Sequence, residues 1–173
     1  MIIHPGILPM NLAGNDALGD EPHANQANAI DTENLRKLHT RVVDALAGFE
    51  VMVDKAEPEF KPIATAFRDL HTQHAGSLTR HLAALGVAPD SDGSFFSMVN
   101  EAVVNLRALF DDIDADVMTN IRNGEDNVLA AFDDAIADDL PAHIREPVVT
   151  MRNELVHLLE QATAQAAQQK PQT

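Results

Sequence analysis

Residues 153–160 read NELVHLLE, in which a glutamate and a histidine stand three apart as Glu154-x-x-His157. On a helix that spacing places the two side chains on neighbouring turns of one side. In four-helix bundles that hold two metal ions, a Glu-x-x-His pair on one helix is half of a recurring ligand set. Two further places in the chain carry compatible residues: His71-x-x-His74, and Glu125 in the middle of an otherwise apolar stripe. Imidazole and carboxylate suit zinc, iron or copper. The chemistry open to His71, His74, Glu125, Glu154 and His157 is therefore coordination of a single transition-metal ion. Without an ion, His74 and Glu125 are expected to face each other as a hydrogen-bonded pair, because an unpaired polar group inside a bundle is costly.

The elements that must position these residues are marked by proline and glycine. Prolines at 58, 62, 89, 141 and 147 bound long proline-free stretches, which predicts helices between them. The first starts near Asp31 or Thr32, either of which can cap exposed amides, and runs to about Ala56. Leu35, Leu38, Val42, Leu46, Phe49 and Val53 form its apolar stripe. Gly48 lies inside it at a cost in helix propensity, which close approach by a neighbour would justify. A second helix follows Pro58 or Pro62 and stops at Gly86, with Phe60, Ile63, Phe67, Leu70, His74, Leu78, His81 and Leu85 inward. A shorter helix is expected over 94–110, with Phe95, Phe96, Val99, Val103, Leu106 and Phe110 as spare apolar surface. The third long helix spans 112–138, with Ile113, Val117, Ile121, Val128, Phe132 and Ile136 inward and Glu125 interrupting the stripe. After Leu140-Pro141 the fourth runs to about 168 on Ile144, Val148, Met151, Leu155, Leu158 and Ala162, with Pro147 either kinking it or marking its start.

Helical direction tests the metal reading. Counting about 100° per residue, His74 lies at the centre of its stripe, with His71 about 60° to one side and Glu125 within about 40° of the middle of its own. Glu154 falls about 80° from the centre of the fourth stripe, and His157 farther round, so that pair is expected to be partly or wholly exposed. The first helix offers Val42, Ala45, Leu46 and Phe49 inward, while Asp44 points away. Its carboxylate ligand is missing.

Composition excludes other chemistries. Among 173 residues there is no cysteine, tyrosine or tryptophan, hence no disulfide, no thiolate ligand or nucleophile, and no phenol or indole to carry an oxidising equivalent. Glycine-rich phosphate loops, G-x-S-x-G and HExxH are absent. Twelve Lys and Arg stand against 27 Asp and Glu, a formal charge of −15, which opposes nucleic acid and anionic membranes. Residues 111–139 hold nine Asp and Glu125 against the one base Arg122. That run reads as a solvated acidic face, or as a surface for a basic partner. No signal peptide or membrane span is evident, and a cytoplasmic location is expected.

From about residue 34 to 160, roughly three quarters of the chain, the sequence resembles a family of small bacterial ferritin-like four-helix-bundle proteins of unassigned function. The resemblance is carried by DALAGFEVMVDKA, FRDLHTQHAGSLTRHLAALG, NGEDNVLAAFDDAIADDLP and the spacing of the fourth helix. It implies a ferritin-like bundle with no catalytic signature. Metal-binding relatives in the wider superfamily carry a carboxylate on the first and third helices and Glu-x-x-His on the second and fourth. This chain has His71-x-x-His74 on the second and nothing on the first, so a bridging carboxylate is lost.

The resulting expectation is an all-α, ferritin-like four-helix bundle over 31–168, with a short crossover helix between the second and third long helices. An irregular arm, 1–30, precedes it and a frayed tail, 169–173, follows. A non-enzymatic interaction or oligomerising domain is expected, a homodimer being the simplest assembly, with a degenerate metal site and no cofactor. The alternative is a metal-binding protein or metal-dependent oxidoreductase using the His/Glu cluster. An adaptor that docks a basic partner on the acidic third helix is a further alternative.

Overall fold

The computed structural model describes residues 31–87 and 117–169, and these form four long helices: α1 Glu33–Lys55, α2 Lys61–Ala84, α3 Met118–Ala137 and α4 Ala142–Gln169. No β-strand occurs among the described residues. The arm 1–30, the expected helix 94–110 and the final four residues lie outside them.

Local chemistry accounts for the helix ends. Asp31 Oδ1 accepts from the Glu33 N–H at 2.9 Å, so the aspartate ahead of the helix satisfies a free amide while Thr32 makes no side-chain cap. Pro62 sits in the first turn of α2, where its missing N–H costs nothing. At the other end Gly86 takes φ 78°, with Gly86 N–H donating to Ala83 O at 3.0 Å and Val87 N–H to Leu82 O at 3.0 Å. That pair of bonds ties off the last carbonyls and needs a left-handed residue between them. Helix α4 passes through Pro147 and begins before it, at Ala142.

The buried faces follow the apolar periodicity, with shifts. On α1, Leu35, Leu38, Val42, Leu46 and Phe49 are buried, and Val43, Ala47 and Val51 join them. The arc is wide because α1 packs on α2 along one side and on α3 along another. On α2, Ala64, His71, Ala75 and Leu82 are buried, whereas Leu70, His81 and Leu85 are half-buried. On α3, Ile121, Glu125, Val128 and Phe132 face the core, and on α4 Ile144, Val148, Met151, Leu155 and Ala162 do so.

Each helix packs against two others, in the ring α1–α2–α4–α3. Cross-helix pairs give the directions. Asn34 at the start of α1 donates to Asp138 Oδ1 beyond the end of α3 at 3.1 Å, and Phe49 near the end of α1 stacks on Phe67 in the first half of α2 at 4.8 Å. Arg122 reaches Thr163 at 2.9 Å, while Arg152 reaches Asp133 at 2.6 Å. Adjacent helices are thus antiparallel, and α2 and α3, diagonal to each other, run parallel. The described ends Val87 and Val117 therefore stand at opposite ends of the bundle. At 1.5 Å per residue the helices are about 30–42 Å long, and His71, His74, Glu125 and Glu154 fall at one level midway along them.

Candidate functional site: two histidine–glutamate pairs across the bundle

His71 and His74 sit one turn apart on α2, and both are fully buried. His71 Nε2 meets Glu125 Oε1 of α3 at 3.1 Å. His74 Nε2 meets Glu154 Oε2 of α4 at 2.9 Å. The two rings stand edge to face at 6.4 Å between centroids, so the pairs form one polar layer with four members.

The pairing differs from the one expected. His74 was expected to face Glu125, yet Glu125 goes to His71 and His74 turns to Glu154. A helical wheel measures how far a side chain lies from its own stripe, and says nothing about which neighbour stands on either side. Here α2 touches α4 directly, so His74 finds a carboxylate there. His71 reaches across the diagonal instead. Glu154 is half-exposed, in line with its position on the edge of the fourth stripe, and its side chain keeps 41% of its surface. His157 is exposed and accepts from the Gln161 amide at 3.1 Å, and it makes no hydrogen bond to the layer.

Apolar rings hold both imidazoles in place. Phe49 of α1 lies parallel over His71 at 5.5 Å and also stacks on Phe67. Phe132 of α3 meets His74 edge-on at 5.9 Å. Burial is the largest influence on His74 and pushes its pKa below the ordinary 6.5, with the Glu154 hydrogen bond pulling it back up and the His71 ring opposing its charge. With a carboxylate facing each Nε2, that nitrogen carries the hydrogen and donates it. Both Nδ1 atoms are buried without a partner, as is Glu125 Oε2. The layer thus leaves three of its polar atoms unpaired.

Imidazole and carboxylate are the right donor types for a transition metal, and three of their atoms are orphaned. Their arrangement does not match. No group of three or more His, Asp or Glu among the described residues is placed to hold an ion, and where a bundle di-metal centre takes a carboxylate from the first helix, this chain has the Phe49 ring. Asp44, on the same helix, is exposed.

One polar group escaped the sequence reading. Asp138, read as part of an acidic solvated face, is half-buried. Its Oδ1 accepts from Asn34, its main-chain oxygen accepts from Arg145 at 3.1 Å, and its Oδ2 is buried without a partner. Its place just before Leu140-Pro141, where a helix ends and free carbonyls collect, was the available signal. No described helix is long and apolar enough to cross a membrane.

Residues 31–138 match the model of a family described as Domain of unknown function (DUF2383), and the chain belongs to that family. No curated protein and no solved structure matches the chain significantly. The matched stretch contains α1 to α3, and with them His71, His74 and Glu125, and ends before α4 contributes Glu154.

Proposed function

We propose that this chain is a ferritin-like bundle whose metal centre has given way to a layer of histidine–glutamate pairs, and that it acts by association instead of catalysis. The antiparallel ring with parallel α2 and α3 supports the ferritin-like assignment, since one long crossover connection is the mark of those bundles. The observation that carries the loss of the metal centre is Phe49 stacked on His71. An aromatic ring can neither bridge two ions nor balance their charge. The remaining groups pair with each other, which keeps the buried imidazoles satisfied at Nε2 and fixes how α2 sits against α3 and α4.

Association of copies of the chain, a dimer being the simplest closed form, is the expected mode of action, with the exposed Asp126 and Asp134 of α3 as part of a docking surface for a basic partner. The test is metal analysis of tag-free protein combined with sedimentation velocity. The expected result is far less than one ion per chain, and a dimer. Stoichiometric zinc, iron or copper that is lost in His74→Ala and Glu125→Ala would overturn the degenerate-site reading. A monomer at every concentration, with no salt-sensitive capture of a basic protein, would overturn the mode of action.

A further inference from the structure

Val51 of α1 is fully buried although its helix turns it outward. Counting about 100° per residue, it lies about 140° from Leu46, which packs in the core. It falls within about 40° of Glu33, Lys37, Thr40 and Asp44, all of which are exposed. Ala47, one turn earlier on the same side, is also 0% exposed. Neither residue belongs to the core that the four helices build. An apolar side chain with no exposure has atoms packed over it on every side. That cover comes from the same chain, because burial is complete within one copy. It therefore comes from a segment outside the described residues, the arm or the connection between α2 and α3.

Topology selects the connection. Val87 and Val117 stand at opposite ends of the bundle, on helices that are diagonal to each other, so residues 88–116 have to descend it and pass over either α1 or α4. The α4 route is open to solvent: Glu146, Asn153, His157, Glu160 and Ala164, all about 140–180° from Leu155, are exposed. On α1, Val51 lies one turn before the helix ends at Lys55, at the end of the bundle where α3 begins. A chain arriving from α2 crosses α1 there to reach α3. The sequence of the connection suits that course. Phe96, Val99, Val103, Leu106 and Phe110 recur every three or four residues, and the helix expected over 94–110 spans about 25 Å, with the residues on either side making up the rest of the bundle's length. The arm joins α1 at its other end and shows no sustained period.

We propose that the outward side of α1 around Ala47 and Val51 is the docking surface for the chain's own segment 94–110, whose apolar stripe lies against it. Burial of apolar area on both sides is the driving force. The stripe is then cover for its own bundle and not surface left over for a second copy. The inference stands apart from the associative role above, which has to use another face.

The chain has no cysteine, so single thiols can be placed as probes in the full-length protein, and a thiol packed inside apolar structure is inert. With Ellman's reagent, Val51→Cys is expected to react at least about a hundredfold more slowly than Thr40→Cys, at every protein concentration. Adding Val99→Asp and Val103→Asp is expected to bring position 51 within about tenfold of Thr40→Cys. Val42→Cys carrying the same two aspartates should stay unreactive, which shows that the bundle is still folded. Adding Ile7→Asp and Leu8→Asp in the arm is expected to change nothing. If the aspartates unfold the bundle, oxidation of Val51→Cys paired with Phe96→Cys, Val99→Cys, Val103→Cys or Leu106→Cys decides, at least one pair being expected to close an intramolecular disulfide. The proposal is overturned if position 51 reacts like position 40, if the arm pair frees it and the connection pair does not, if its protection is lost on dilution, or if no connection pair closes a disulfide.

Discussion

His71 and Glu125 are 54 positions apart in sequence and meet at 3.1 Å where neither is open to solvent. Each satisfies the other at one atom, and removing one partner strands the other in an apolar core. Glu125→Ala is expected to lower unfolding free energy by about 1–3 kcal/mol, the range for leaving a buried hydrogen-bonding group without its partner. His71→Leu combined with Glu125→Leu should cost much less, since no polar atom is then orphaned. Urea unfolding of the single and double variants decides, and a double variant as unstable as the single one would contradict the pair.

His74 sets a pH dependence whose sign can be worked out. Its folded pKa lies below the ordinary 6.5 because burial outweighs Glu154. Below that pH the unfolded chain binds more protons than the folded one, so stability rises with pH. The contribution is complete above the unfolded value and is lost as pH falls through 6.5 towards the folded value. His81, lowered first by burial and then by Arg80 and His143, adds with the same sign. Tm should therefore drop between pH 7 and pH 5, and His74→Gln should flatten part of that slope. An identical slope in the variant would remove His74 from the account.

Phe49 can be used to rebuild what the first helix lacks. Phe49→Ala should cost about 3–5 kcal/mol as a buried aromatic truncation. Phe49→Glu should be destabilised without metal, yet its new carboxylate enters beside His71 and Glu125. Zinc is expected to raise the Tm of this variant and to leave wild type unmoved, because an ion that binds only the folded state stabilises it. No zinc response in a Phe49→Glu protein that still folds would show that the ring is not what keeps an ion out.

The two-pronged ion pair from Arg152 to Asp133, at 2.6 and 3.2 Å, holds the Asp133 carboxyl below its usual range through that hydrogen bond. Asp133 is exposed and Arg152 is half-buried with 31% of its side-chain surface open, so solvent still screens the pair. Arg152→Ala should cost no more than about 1 kcal/mol, and the loss should shrink in high salt. A loss several times larger, unaffected by salt, would mean that the Arg152 stem packs more tightly than its exposure indicates.

Much of the fold could be read before any coordinates. The stripes through Leu38, Phe67, Phe132 and Leu155 marked which faces are buried, and Gly86 and Leu140-Pro141 marked two of the breaks. Glu125 and His74 were identifiable as inward polar residues because their angles fall within apolar arcs. Glu154 was identifiable as peripheral for the same reason. Partnership was not legible. Assigning Glu125 to His74 treated two inward residues at one level as facing each other, whereas the ring order of the helices sends His74 to α4. Gly48 was misread as a close-approach residue, for a Cβ built there meets nothing within 4 Å; a sequence records the cost of a glycine but not what surrounds it. Asp138 was grouped with its acidic neighbours, although the start of α1 nearby supplies Asn34.

By itself the sequence determined four amphipathic rods, some of their ends, and a central polar level that the first rod cannot join, because periodicity encodes the direction of burial along each helix. Only the tertiary structure decided which histidine meets which glutamate, where Phe49 lies, and that Gly48 and Gly124 open onto one groove. Those outcomes depend on how each helix is rotated and which others it touches, and no single helix carries that information in its own order of residues.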